Sequence, residues 1–152
     1  MSYILNIETS TTNCSVSLSF ENDLVYCMEQ DSLNYSHSEN LHVVIKELLN
    51  KNNIKFNHLS AISISRGPGS YTGLRIGLSA AKGLCYGLDI PLISISSLKI
   101  LANSIKFDGF IASTMDARRD EIYSCIYDSN LNVIREEKPE IINHESLSLI
   151  HI

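Results

Sequence analysis

The hydrophobic period of this chain changes from about 2 to about 3.6 near residue 36, and that change restricts its fold more than any other feature. Before it, residues 3–8 (YILNIE), 14–20 (CSVSLSF) and 24–30 (LVYCMEQ) read as strands. Only the polar turns 9–13 (TSTTN) and Glu21-Asn22-Asp23 separate them. Strands joined this closely must run antiparallel. After it, Leu41, Val44, Ile45, Leu48 and Leu49 recur at helical spacing. Ser36 with Glu39 reads as a capping box, and the polar run Asn50-Lys51-Asn52-Asn53 stops the helix.

A strand at 59–65 (LSAISIS) follows, then the loop Arg66 to Thr72, a helix over about 73–88, a strand at 91–95 and a helix capped by Ser96 or Ser97 that runs to about 105. The order is β-β-β-α-β-α-β-α. A meander extended by βαβ crossovers gives a mixed sheet with helices on its faces. This is the order of an actin-like or ribonuclease-H-like lobe, so the fold class is α/β, with residues 1–105 as the first lobe. Residues 106–152 start the pattern again with strands at 109–115, 122–128 and 131–138, but without the crossovers. They are expected to form an incomplete, truncated second lobe that packs on the first unit or on a partner, because three strands alone are marginal.

Composition narrows the class. With 152 residues, 44% hydrophobic and 19% charged, the chain is globular. It has no run of about 18 apolar residues for a membrane span, and residues 1–8 lack the basic segment and apolar core of a signal peptide. Twelve basic against 17 acidic residues, a net charge of −5, argue against a broadly basic nucleic-acid surface. Cys14, Cys27, Cys85 and Cys125 form no C-x-x-C pair and read as reduced thiols of a cytosolic protein. His37 and His42 lie about 140° apart around the first helix and cannot share a metal as an i, i+4 pair does. His58, His144 and His151 are isolated, so no metal site is expected.

Three segments can carry chemistry. In the turn Glu8-Thr9-Ser10-Thr11-Thr12-Asn13, a carboxylate is followed by hydroxyls and backbone N–H groups. It can hold a phosphate or a hydrated metal, or be a plain polar hairpin. The loop with Gly67, Gly69 and Ser70 opens a helix and can offer N–H groups to an anion, or be a rigid connector. It lacks the Gly-Lys-Ser/Thr ending of a P-loop. In the helix after it, Gly73, Gly77, Ala80, Gly83 and Gly87 are spaced 4, 3, 3 and 4 apart and line one face. An apolar stripe (Leu74, Leu78, Ala81, Cys85, Leu88) and a polar one (Arg75, Ser79, Lys82, Tyr86) flank it. Each interior glycine costs about 1 kcal/mol relative to alanine. Close approach by another backbone would offset that cost, either within the chain or at a subunit interface. Asp116-Ala117-Arg118-Arg119-Asp120-Glu121 reads as a solvated hairpin, and no Ser-His-Asp set or nucleophile elbow stands out.

Taken together, these residues resemble the TsaB (YeaZ) family, of the glycoprotease-like superfamily with the ASKHA (actin-like ATPase) fold. The long block Ser65-Arg66-Gly67-Pro68-Gly69-Ser70-Tyr71-Thr72-Gly73-Leu74-Arg75-Ile76-Gly77, continued by Ala80-Ala81-Lys82-Gly83-Leu84, is the specific part. Ile7-Glu8-Thr9-Ser10, His37-Ser38-Glu39, Asp116-Ala117-Arg118 and Glu121-Ile122-Tyr123 match further blocks in order, over about residues 3–128. The resemblance implies a non-catalytic, dimerisation subunit of the bacterial tRNA threonylcarbamoyladenosine synthase. Its partners would be the catalytic paralogue TsaD and the ATPase TsaE, with tRNA reached through the complex. A homodimer is expected when the partner is absent. The interface would use both helices: Leu41 and Ile45 on the first, and Gly73, Gly77, Ala80, Ala81, Gly83, Leu84 and Gly87 on the second.

The resemblance also implies a cytoplasmic location and no required cofactor. The paralogue's metal-binding His-x-x-x-His pair is not reproduced by His37 and His42. Two departures stand out: family members are longer, with a complete second lobe, and commonly have Asp where this chain has Glu8. Both favour a scaffold. The alternative is a small nucleotide-dependent transferase or hydrolase, with ATP or ADP held by Glu8, Thr9, Ser10, Thr11, Gly67, Gly69 and Ser70. A peptidase lacks a metal pair or nucleophile set to work with.

Overall fold

The computed structural model describes residues 2–31 and 37–141, with the side chains of 30, 31 and 37–40 outside that description. Ser36, His144 and His151 therefore lie outside the described residues, as do the side chains of His37 and Glu39, and with them the expected capping box. The chain forms two compact units, Met1–Ile95 and Ser96–Ile152.

The first unit contains β1 (Tyr3–Glu8), β2 (Asn13–Phe20), β3 (Asp23–Asp31), α1 (His37–Lys51), β4 (Leu59–Ser65), α2 (Tyr71–Leu88) and β5 (Leu92–Ile95). The sheet order is β3-β2-β1-β4-β5. β1, β2 and β3 pair antiparallel, while β4 runs parallel to both β1 and β5. This is the mixed sheet that the change of period requires. Alternation then decides which face is covered. Leu5, Ile7, Cys14, Val16 and Leu18 point into one core with Ile62 and Ile64, under Leu41, Val44, Ile45, Leu48 and Leu49 of α1 and Ala80 and Ala81 of α2. Asn6 lies on the opposite face and donates to Ser17 Oγ at 3.3 Å and Ser19 Oγ at 2.8 Å. Helices α1 and α2 pack side by side on this core face.

Helix α2 starts earlier than its glycine pattern indicates. Ser70 is the N-cap, and its hydroxyl accepts from Gly73 N at 3.3 Å. The helix ends on Asp89 in the left-handed region (φ 54°), whose N–H returns to Cys85 O.

The second unit contains α3 (Ser97–Asn103), β6 (Ile111–Arg118), β7 (Glu121–Tyr127) and β8 (Val133–Ile141), the strands forming an antiparallel sheet β6-β7-β8. The boundary expected near residue 105 falls instead at Ile95/Ser96. The reason is packing: Leu98 and Ala102 of α3 share a core with Ile111, Cys125 and Tyr127, which supplies the cover a bare meander lacks. The hairpin turn is also tighter than the sequence reading, since β6 runs to Arg118 and only Arg119 and Asp120 lie beyond it. Among the described residues no helix is long and apolar enough to cross a membrane.

A charged network pins β8 to β7. Arg135 grips Glu140 with two contacts at 3.0 and 3.2 Å and donates to Ser124 Oγ at 2.8 Å. Ser124 in turn donates to Glu140 at 2.7 Å, and Lys138 Nζ lies 2.8 Å from the same carboxylate. Lys138 first, then Ser124 and Arg135, hold the Glu140 carboxyl below the usual carboxylate range, against the opposing effect of burial. A depressed pKa means that the unfolded chain takes up the proton first. The stabilisation is present above the ordinary glutamate value of about 4.3 and is lost as pH falls through the folded-state value. Glu140→Gln is therefore expected to flatten the acid limb of stability, read as the urea midpoint between about pH 3 and 7. An acid limb as steep as the wild type's would show that Glu140 does not contribute to it.

Candidate functional site

The turn after β1 and the loop before α2 are brought together, and each closes on the other. Glu8 Oε1 accepts from Ser10 N at 2.6 Å and from Ser65 Oγ at 2.8 Å. Ser70 N donates to Ser10 O at 2.6 Å. Thr9, Ser10 and Ser65 are buried, as is Gly67, while Thr11 is exposed. At Gly69 (φ 154°) a Cβ would stand 2.7 Å from Ser10 Cβ and closer still to its carbonyl oxygen. The residues predicted to hold a nucleotide are thus neighbours, as a phosphate site requires. Several of the groups such a site would use, the Glu8 carboxylate and the N–H groups of Ser10, Ser70 and Gly73, already have partners in the chain.

The glycine stripe of α2 divides into two halves with different reasons. A Cβ at Gly73 would run into Thr9 O, and one at Gly77 into Thr9 Oγ1 and, at 3.2 Å, Ile64 Cδ1. These glycines let α2 lie directly on the turn after β1. Ala80 and Ala81 continue into the core, where Leu41 and Ile45 of α1 are also buried. Six of the residues expected at a partner interface (Leu41, Ile45, Gly73, Gly77, Ala80 and Ala81) are therefore covered by this chain itself. At Gly83 and Gly87 a Cβ would meet nothing within 4 Å. Both are exposed, and Leu84 beside them is half-buried.

That open half borders a shallow groove of about 580 Å³ between α1 and α2, lined by His42, Arg75, Ile76, Ser79, Ala80, Gly83 and Leu84. Arg75 is held over the Tyr71 ring, 5.2 Å from its centroid, and donates to Tyr71 Oη at 3.1 Å. Tyr86 is 93% exposed, and Leu78 and Val43 are exposed nearby. His42, considered from sequence only as a metal ligand, lines this groove instead. Among the described residues no three His, Cys, Asp or Glu side chains converge to hold a metal. The spacing of α2 could not reveal which glycines face the turn, because that depends on where β1 ends.

The element order and mixed sheet are those of an actin-like, ribonuclease-H-like lobe, here with a closed β1–β2 turn and an open helical face. The family model described as "TsaD: tRNA N6-adenosine threonylcarbamoyltransferase" matches residues 32–146. The Bacillus subtilis tRNA threonylcarbamoyladenosine biosynthesis protein TsaB is 38% identical over 138 residues, covering 90% of this chain and 60% of that protein. The Escherichia coli protein of the same name is 32% identical over 154 residues, covering 95% and 65%. Among solved structures, YeaZ from Pseudomonas aeruginosa superposes with a TM-score of 0.84 at 29% identity, covering 95% of this chain and 70% of that one. The ethanolamine utilization protein EutJ from Carboxydothermus hydrogenoformans, at TM-score 0.53 and 14% identity, shares the fold alone. The chain belongs to the TsaB (YeaZ) family. It spans less than two thirds of the length of the curated relatives it matches.

The two halves of the stripe should respond oppositely to one added methyl group. Gly83→Ala is expected to stabilise the chain by about 1 kcal/mol through helix propensity. Gly77→Ala should destabilise it by about 1–3 kcal/mol through overlap with Thr9. Denaturant melts of the two variants check this, and shifts of the same sign would refute the division.

Proposed function

We propose that this chain takes part in making threonylcarbamoyladenosine in tRNA, as a non-catalytic subunit that docks a TsaD-type catalytic partner on the α1–α2 face. The observation that carries the docking role is Gly83. It sits in the interior of α2, borders the groove, and has open space where its Cβ would be. Nothing within the described chain offsets its helix-propensity cost of about 1 kcal/mol, whereas a partner helix laid against it would. The names of the relatives supply the pathway. A TsaE-type ATPase and tRNA would then join through the complex, in the cytoplasm. With a net charge of −5 this chain is a poor carrier of the phosphate-binding surface, which falls to another subunit.

The role needs no bound cofactor on this reading. The internal partners of Glu8, Ser10 and Ser70 support that view, since each satisfied group is one fewer for a phosphate.

Co-purification with the TsaD-type protein of the same organism, followed by molar-mass determination, is expected to give a mixed complex with or without ATP and magnesium. Gly83→Leu, which fills the groove, should abolish that complex while the melting temperature and helicity are retained. Unchanged association in Gly83→Leu would overturn the docking face. Association that demands ATP and magnesium and disappears in Glu8→Ala would favour the nucleotide-dependent transferase or hydrolase instead.

A further inference from the structure

We infer that the α1–α2 face is built for an acidic helix, one presenting two carboxylates about two turns apart. This rests on the docking reading above and adds the chemistry of the occupant. The chain as a whole carries −5, yet this face is cationic. Helix α2 holds Arg75 and Lys82 and no carboxylate from Tyr71 to Leu88; the first acidic residue is its C-cap, Asp89. On α1, His42 lines the groove, and Lys46 stands one turn further along the helix, exposed. Its Glu47 pairs along its own helix with Lys51, at 3.7 Å, and its other carboxylate, Glu39, has a side chain outside the described residues. Among the described residues Lys46, Arg75 and Lys82 form no ion pair.

Geometry sharpens the match. Arg75 and Lys82 are seven residues apart, about 10.5 Å along the axis, and both are exposed beside the groove. Acidic residues at i and i+7 of a facing helix reproduce that spacing. Gly83 lies next to Lys82 and lets a facing backbone come close. Arg75 is already held by Tyr71, so its planar fork meets a carboxylate with little further loss of side-chain freedom.

A second copy of this chain is the contrasting occupant, and it carries the opposite sign of salt dependence. Two copies joined through this face bring like charges together, which disfavours association and is relieved by added salt. An acidic partner is attracted, and salt weakens it.

The test measures binding of the full 152-residue chain to the TsaD-type protein at about 50 and 500 mM NaCl, with Arg75→Glu, Lys82→Glu and the double variant. Circular dichroism confirms that the variants stay folded. The wild-type Kd is expected to rise at least about tenfold with salt, and each reversal should weaken low-salt binding by a similar factor while flattening the salt response. Binding unmoved by salt and by both reversals would overturn the acidic-partner assignment and leave the docking reading standing. Absence of wild-type binding at either salt would overturn the docking reading itself. Self-association of the wild type that strengthens with salt, without a salt-sensitive mixed complex, would assign the face to a second copy.

Discussion

The first unit depends on the approach of α2 to the turn after β1. Gly73 and Gly77 remove the two methyl groups that would otherwise meet Thr9, and the helix comes down onto the strand end. The seat is then fixed by hydrogen bonds, with Ser70 N donating to Ser10 O and Ser10 N donating to Glu8. The same seating places Ala80 and Ala81 in the core against α1 and sets the width of the groove between the helices. Raising α2 by the thickness of a methyl group would disturb the core, the loop and the groove together, because packed interiors transmit such shifts rather than absorb them.

Glycine in a helix therefore has two meanings in one element here. At Gly73 and Gly77 the propensity cost of about 1 kcal/mol each is offset within the chain by contact that no larger residue permits. At Gly83 the cost stands in the isolated chain. A helix that weakens itself at an exposed position beside a groove would gain stability where another backbone covered it. The period of the stripe is continuous across both halves, but its purpose changes at Ala80, where the helix passes from the strand end to the open groove.

How much of this was legible follows from what each signal measures. The change of hydrophobic period fixed the element order and the pairing of β1 to β3, because alternation and helical spacing are properties of the chain alone. The long glycine block gave the family for the same reason. The unit boundary was not legible. Ser97–Asn103 follows β5 directly and reads from sequence as the last helix of the first unit, and only the burial of Leu98 and Ala102 against Ile111 and Tyr127 assigns it to the second. Nor could spacing separate Gly77 from Gly83, since the difference lies in Thr9, 68 residues earlier. Spacing along α1 says only that His42 and His37 cannot share a metal, whereas the residues that line the groove with His42, such as Arg75 and Ser79, lie on a different helix.

At the turn after β1 the polar groups of this chain are directed at one another. An anion at a helix start is held by unsatisfied N–H groups. Here Gly73 N is taken by the Ser70 hydroxyl, Ser70 N by Ser10 O, and Ser10 N by the Glu8 carboxylate. That carboxylate adds a negative charge where a phosphate would bring its own, and like charges at short range oppose binding. Of the six Lys and Arg side chains of the same unit, Arg66 stands in the loop before α2, while Lys46, Lys51, Arg75 and Lys82 stand on α1 and α2 and Lys55 follows α1. The polar groups that chemistry would need at the turn hold the architecture together. A shared fold thus leaves function to be argued from where donors and charges sit. On the proposed reading, recognition falls to the helices.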